Sequence, residues 1–137
     1  MKIYIDIDGV LLTRNLAAAD YGAEFIEFLV SNFDCYWLTT HCRKGENKSI
    51  QYLSQFYPKN VVSQLKNIRP TNWDSKKTEA IDFSSPFIWL DDHPFEVEKA
   101  ELLSQGCFSS LFIIDLSKEN ELLRVKQEII SKLNKAV

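Results

Sequence analysis

Two aspartates placed two positions apart follow an apolar N-terminal segment, and together they could hold a cation or share a proton. Residues 2–7 are rich in β-branched and aromatic side chains, which predicts a buried strand. Asp6 and Asp8 lie where this strand ends and where Gly9 allows the chain to turn. Side chains two positions apart on a strand face the same way, so both carboxylates are expected on one side of the strand's carboxyl end, where open α/β sheets bind ligands. Asp-x-Asp also occurs as a plain turn cap, and the motif alone leaves that alternative open.

Polar residues also follow two other predicted strands. The second strand leads into Thr39 and Thr40, and an apolar strand at residues 87–90 leads into Asp91 and Asp92. Because the carboxyl ends of parallel strands meet at one edge of a sheet, hydroxyl groups and up to four carboxylates would come together there. So many acids are costly without a cation, and such oxygen-rich sites suit Mg²⁺ with a phosphate.

Strands and helices that could position these residues alternate along the chain. The predicted strands cover residues 2–7, 34–38, 61–62, 87–90 and 111–114, and the predicted helices cover residues 17–32, 49–56, 76–81, 95–105 and 119–134. This alternation predicts parallel βαβ units with helices on both faces. The expected fold class is α/β, a Rossmann-like three-layer sandwich with a mostly parallel five-stranded sheet, formed by one domain over residues 1–137.

Composition sets the broad class of protein. The apolar fraction of 45% and the charged fraction of 26% are ordinary for a globular domain. A net charge of −3 provides no basic surface of the kind that nucleic-acid binders usually carry. Three cysteines without a Cys-x-x-Cys motif, no signal peptide and no apolar run of membrane-spanning length predict a cytoplasmic protein with reduced thiols and no membrane contact.

Four motifs stand along the chain in an order that resembles the haloacid dehalogenase-like (HAD) phosphohydrolase superfamily. The first is Asp6-Ile7-Asp8-Gly9-Val10-Leu11 after an apolar strand, and the second is the strand that leads into Thr39. The third is a lysine that opens a helix, a position that Lys77 matches better than Lys76 because a helical turn follows it directly. The fourth is the apolar strand that ends in Asp91-Asp92.

The resemblance implies a role for each motif residue. Asp6 would be the nucleophile that attacks phosphorus and forms an aspartyl-phosphate. Asp8 would protonate the leaving oxygen and then take a proton from the attacking water. Thr39 would hydrogen-bond a phosphoryl oxygen, Lys77 would offset the negative charges, and Gly9 would supply the tight turn beside the substrate.

The resemblance also implies a Mg²⁺ site. The ion would be held by the Asp6 carboxylate, the main-chain carbonyl of Asp8 and one acid of the Asp91-Asp92 pair, and it would bridge to the phosphate. Asp92 is favoured as the direct ligand. Asp91 would then support Asp92 or act as the counter-ion of the lysine.

The intervals in which this superfamily inserts a cap domain are short here, so the resemblance, which extends over residues 2–94, is to its small capless members. An open site leaves part of the exclusion of water to the substrate. A bulky phosphorylated substrate, such as a nucleic-acid end or a protein, is therefore expected. Trp73 and Arg14 are expected at the rim, with Gly9 and Thr40 also near the substrate, although Arg14 could equally be a solvated loop charge.

The function expected from these residues is that of a Mg²⁺-dependent phosphatase, a phosphoric monoester hydrolase. Two alternatives remain open, namely a catalytically silent binding or regulatory domain that keeps the fold, and a phosphotransferase. Chemically competent residues at all four motif positions favour the phosphatase over the silent domain.

Overall fold

The computed structural model describes residues 1–135, which contain four strands and five α-helices. In chain order these are β1 (Lys2–Ile5), α1 (Gly22–Asn32), β2 (Asp34–Trp37), α2 (Ser49–Leu53), α3 (Lys59–Leu65), β3 (Phe87–Asp91), α4 (Glu96–Ser104), β4 (Leu111–Ile113) and α5 (Glu121–Lys135). Short 3₁₀ turns lie at Thr40–Cys42, Lys77–Ala80 and Phe108–Ser110. Among these 135 residues, no helix is both long enough and apolar enough to cross a membrane.

The four strands form one parallel sheet in the order β2-β1-β3-β4, with the N-terminal strand in the interior. The α/β class and the parallel sheet expected from the sequence are thereby confirmed. Ile5 of β1 stands beside Trp37 of β2 and Leu90 of β3. The residues that follow these three strands consequently meet at one edge of the sheet.

Helices cover both faces of the sheet. Side chains alternate between these faces along each strand, so neighbouring residues of one strand belong to different hydrophobic clusters. Ile3 and Ile5 of β1 belong to the larger hydrophobic core, which includes residues of α1, α3 and α5. Tyr4, between them, belongs to a second cluster with Trp89 of β3 and Leu102 of α4. This layering is compatible with a Rossmann-like sandwich. Burying each large apolar side chain stabilises the fold by roughly 2 kcal/mol.

The expected fifth strand is wrong, because residues 61–62 lie in α3 and the sheet has four strands within the described residues. Pro58 precedes this helix, at a place where its fixed φ does not interrupt helical hydrogen bonds. Val61 and Leu65, four positions apart, are both buried, and α3 packs against α1. Helical burial of these two side chains outweighs the β-propensity of two adjacent valines. Beyond α3, the chain makes a single bridge to β2 at Arg69.

The helix predicted over residues 17–32 begins only at Gly22. Leu16 and Tyr21 adopt left-handed backbone conformations, with φ of 56° and 63°, and a helix cannot pass through such residues. Gly22 also allows the ring of Tyr57 to approach closely, since a Cβ at this position would overlap the Tyr57 hydroxyl.

Two further helix predictions are shortened. The helix expected over residues 49–56 ends at Leu53, and Pro58 stands at the start of α3. The helix expected over residues 76–81 is the 3₁₀ turn Lys77–Ala80. A turn of this length suffices to aim one side chain at the edge of the sheet.

Candidate active site

Three aspartates meet at the carboxyl edge of the sheet. Asp6 directly follows β1 and continues its ladder, since its N–H donates to the Leu90 carbonyl oxygen at 3.0 Å. Asp91 is the last residue of β3, and Asp92 follows it. One carboxylate oxygen of each of the three lies within 4.8 Å of the others. Asp6 is 6% exposed and Asp91 is 1% exposed, so this negative charge is poorly solvated by water.

A buried lysine offsets part of that charge. The Nζ of Lys77 lies 2.6 Å from Oδ2 of Asp91 and 3.3 Å from Oδ2 of Asp6. Burial lowers the pKa of Lys77, but the charges of the two aspartates outweigh this effect and raise the pKa above its ordinary value. Burial also raises the pKa of Asp6 to about 7, against the attraction of Lys77 and with added repulsion from Asp91. Three carboxylates thus face one ammonium group, which favours the binding of a further cation.

The lysine is positioned by Glu98, a residue that sequence reasoning missed. The buried Glu98 carboxylate accepts the N–H of Lys77 at 2.7 Å and the N–H of Phe95 at 2.7 Å. It therefore joins the 3₁₀ turn to the start of α4. A glutamate in the first turn of a helix is a visible signal, but its partner 21 positions earlier leaves no sequence pattern. Lys76 instead forms an ion pair with Glu101, so the structure places Lys77 and not Lys76 beside the aspartates.

The two acids of the Asp91-Asp92 pair have different surroundings. Both oxygens of Asp91 are engaged, Oδ2 by Lys77 and Oδ1 by the N–H of His93 at 2.9 Å. Asp92 is half-buried, and burial followed by the charge of Asp91 raises the pKa of its carboxyl. The Asp92 carboxylate lies against Gly9, whose φ of 81° favours glycine and where a Cβ would stand 2.7 Å from the Cβ of Asp92. Asp92 is thus the acid better placed to accept a cation.

Asp8 has partners outside the acid cluster. Its Oδ1 accepts the hydroxyl of Tyr52 at 3.0 Å, and its Oδ2 lies 2.9 Å from Nε2 of His41. The alternation expected for an extended strand does not apply here, because a turn begins at Ile7. The carbonyl oxygen of that residue accepts the N–H groups of residues 10–12 at 2.8 to 3.2 Å. His41 and Tyr52 were not identified as site residues from the sequence.

Thr39 is buried where the chain leaves β2. Its carbonyl oxygen accepts the indole N–H of Trp73 at 3.2 Å, and its hydroxyl oxygen accepts the N–H of His41 at 3.4 Å. The expectation that Trp73 lies at the rim is wrong, because its side chain is 6% exposed and belongs to the second core cluster, with the Arg43 guanidinium over its ring. Burial of the large indole surface of Trp73 is favourable even though the segment around it is polar and irregular. Thr40 is exposed and opens the following 3₁₀ turn.

An open cavity of about 700 Å³ adjoins the aspartates. Gly9 and Asp92 line it on the side of the acid cluster. The remaining lining residues come from the loop after the first motif and from the segment after β4, namely Thr13, Arg14, Asn15 and residues 113–117. Arg14 is exposed and lines this cavity. Hydrogen bonds from Ser117 lower the pKa of Asp115, and the charge of Arg14 contributes to the same shift.

The acid cluster fits a hard divalent cation. Its donors are carboxylate oxygens, which are the ligands that Mg²⁺ prefers. Burial, with a smaller contribution from the charge of Asp91, raises the pKa of Asp6, so a nearby cation would favour its ionised form. Gly9 leaves room for the Asp92 carboxylate beside the first motif.

The chain matches no protein-family model, no curated protein and no solved structure. Function is therefore inferred from the motifs and from the geometry around them.

Proposed function

We propose that this protein is a Mg²⁺-dependent phosphatase that acts through an aspartyl-phosphate on Asp6. The observation that carries the proposal is the buried cluster of Asp6, Asp91 and Asp92, with Lys77 paired to two of them at the carboxyl edge of the sheet. The motif order, which resembles that of the HAD-like phosphohydrolases, and a sheet covered on both faces support the same function.

Asp6 is the proposed nucleophile. The N–H of Ile7 donates to its Oδ1 at 2.8 Å, which orients the carboxylate and leaves Oδ2, beside Lys77, to attack phosphorus. A bond forms between Oδ2 and phosphorus as the bond from phosphorus to the leaving oxygen breaks. Attack by water on the same phosphorus then releases inorganic phosphate and regenerates the Asp6 carboxylate. Lys77 offsets the charges that accumulate when a carboxylate and a phosphate approach each other.

Proton transfer is assigned to Asp8. In the first step it protonates the leaving oxygen, and in the second it accepts a proton from the attacking water. Its side chain is 52% exposed, so both water and a leaving group can reach it. The hydroxyl of Thr39 accepts the N–H of His41 through its oxygen, and its own proton remains able to donate to a phosphoryl oxygen.

A bound Mg²⁺ would be held by the carboxylates of Asp6 and Asp92 and by the main-chain carbonyl of Asp8. When bound, the ion supplies positive charge that favours the ionised form of Asp6 and neutralises phosphoryl oxygens. Asp91 acts as the counter-ion of Lys77 and keeps the ammonium group directed at the nucleophile.

The proposed substrate is a bulky phosphate ester, such as a nucleic-acid end or a phosphorylated protein. The segment between β2 and Lys77 contains α2 and α3, and α3 packs against α1 as part of the core rather than over the site. The cavity beside Gly9 and Asp92 offers space for the leaving group, and Arg14 offers a cation to an anionic substrate. Trp73 is assigned no substrate contact, because its ring packs in the second core cluster and its indole N–H is bonded to the Thr39 carbonyl oxygen.

The proposal is tested by phosphate release from 4-nitrophenyl phosphate with and without Mg²⁺. Wild-type protein should release phosphate only with the ion. Asp6→Asn should keep its fold and lose nearly all activity, since an amide is a poor nucleophile. Asp20→Asn is the matched control, because this aspartate is exposed on the loop before α1.

Other outcomes point to the alternatives. Wild-type turnover by Asp6→Asn would overturn the mechanism. An inactive wild-type protein that still binds phosphorylated ligands would favour a silent binding domain. Transfer of phosphate to an added alcohol in preference to water would favour a phosphotransferase.

A further inference from the structure

Two side chains between β2 and α3 hold the carboxylate of Asp8. Tyr52 donates its hydroxyl to Oδ1 at 3.0 Å, and Nε2 of His41 lies 2.9 Å from Oδ2. The two rings are stacked, with centroids 4.0 Å apart and planes inclined by 20°. Tyr52 also packs edge-on against Phe56, at 5.6 Å between centroids, so the pair is anchored to the core.

An aspartate on a half-exposed turn needs such support to act on a proton at a fixed position. Free rotation of its side chain would spread the carboxylate over several rotamers, and a misplacement of about 1 Å can cost on the order of 100-fold in rate. The backbone around His41 is itself fixed, since its carbonyl oxygen accepts the N–H of Lys48 at 2.8 Å.

Hydrogen-bond donors on both oxygens are compatible with proton transfer by Asp8. The tyrosine hydroxyl donates, and a neutral imidazole donates from the nitrogen that carries its proton. Because a protonated carboxyl still accepts hydrogen bonds, the proton of Asp8 itself stays available to the leaving oxygen.

We propose that His41 and Tyr52 are positioning residues that hold Asp8 in place for proton transfer to the leaving oxygen and from water. This role rests on the proposed phosphatase function. The two residues act through Asp8 and not on the phosphate.

Leaving groups of different basicity separate this role from a general effect on structure. With Mg²⁺ present, kcat/KM reports transfer of phosphate to Asp6, and this step needs an acid for benzyl phosphate but hardly for 4-nitrophenyl phosphate. In His41→Ala, kcat/KM should fall by about 10- to 100-fold on benzyl phosphate and by less than about threefold on 4-nitrophenyl phosphate. On the latter ester kcat should fall and the phosphorylated enzyme should accumulate, because water is poorly activated.

Two more variants complete the design. Tyr52→Phe should give the same pattern with a smaller loss, because the phenylalanine ring still stacks on His41, whereas His41→Ala removes both a contact with Asp8 and the ring that stacks on Tyr52. Tyr36→Phe is the matched control and should equal wild type on both esters, since its hydroxyl contacts Asp34 and Arg69 instead. Melting temperatures identify any variant that has lost its fold.

The results separate failure of the inference from failure of the proposed function. Equal losses on the two esters in folded His41→Ala and Tyr52→Phe would overturn the positioning role while the phosphatase function stands. Wild-type protein that hydrolyses neither ester would overturn both. Full activity on benzyl phosphate of a double variant that combines His41→Ala with Tyr52→Phe would overturn the positioning role alone.

Discussion

Replacing Lys77 with methionine removes the ammonium group that pairs with Asp6 and Asp91. The side chains of Lys77, Asp6 and Asp91 are only 13%, 9% and 1% exposed, so water cannot take over the role of the lost charge. Breaking a buried ion pair by removing one partner costs about 3–5 kcal/mol, and methionine keeps most of the volume. We expect the lower end, about 3 kcal/mol, because a proton on Asp6 can relieve part of the repulsion. For a chain of this length that corresponds to a fall of about 10 °C in melting temperature.

The loss should depend on pH. A carboxyl whose pKa is higher in the folded protein than in the unfolded chain adds stability at low pH, and that stability disappears as pH rises through the folded pKa. For Asp6 the pKa rises from 3.8 to about 7, so the metal-free wild-type protein should lose stability across this interval. Without Lys77 the pKa of Asp6 rises further. The free energy of unfolding lost in Lys77→Met should therefore be smallest near pH 5, where Asp6 is protonated in both proteins. It should be largest near pH 8, at about 3 kcal/mol.

Thermal unfolding in the presence of EDTA, followed by addition of Mg²⁺, measures both effects. The rise in melting temperature that Mg²⁺ produces should be larger in Lys77→Met than in wild type, because three unbalanced carboxylates bind a cation more tightly. Lys76→Met is the matched control and should change little, since Lys76 pairs with Glu101 at the surface. If Lys77→Met melted like wild type near pH 8 without metal, Lys77 would not neutralise the cluster and the electrostatic reasoning would be refuted.

Three further substitutions test the metal site and the packing. Asp92→Asn should reduce the rise in melting temperature caused by Mg²⁺, because the proposed ligand loses its charge, and an undiminished rise would place the ion elsewhere. Gly9→Ala should abolish phosphate release, since the new Cβ would overlap the Asp92 carboxylate at a φ of 81°, and normal turnover would contradict the need for this turn. Gly22→Ala should lower the free energy of unfolding in urea by about 1–3 kcal/mol through overlap with the Tyr57 hydroxyl. The loss should be smaller in a Tyr57→Phe background, and equal losses in the two backgrounds would contradict this packing.

The convergence of the acids at one edge could be predicted from the sequence. Apolar runs at residues 2–5 and 87–90, in a chain whose strands alternate with helices, are typical of parallel strands buried on both faces, and such strands end at the same edge. Asp6, Asp91 and Asp92 follow those runs directly, so their meeting needs no knowledge of the intervening chain. Lys77 is predicted from the order of the motifs. The direction of its side chain depends on a short 3₁₀ turn, which the local sequence pattern does not predict.

Contacts between distant segments of the chain could not be predicted from the sequence. Asp8 is 33 positions from His41 and 44 from Tyr52, and neither separation leaves a periodic pattern. Trp73 was misplaced because the polarity of its neighbours suggested exposure, whereas its own large surface determines its burial. Residues 61–62 were assigned by β-propensity, which tertiary packing of a helix readily overrides.

The bridge at Arg69 has a consequence for the behaviour of this protein in concentrated solution. The N–H of Trp37 donates to the Arg69 carbonyl oxygen at 2.8 Å, and the N–H of Arg69 donates to the Cys35 carbonyl oxygen at 3.0 Å. Pro70, which follows, has no N–H to offer. A strand from another molecule therefore meets backbone groups that are already bonded along the outer side of β2, while β4 at the opposite edge is only three residues long. Edge-to-edge growth of the sheet into aggregates is disfavoured on both sides.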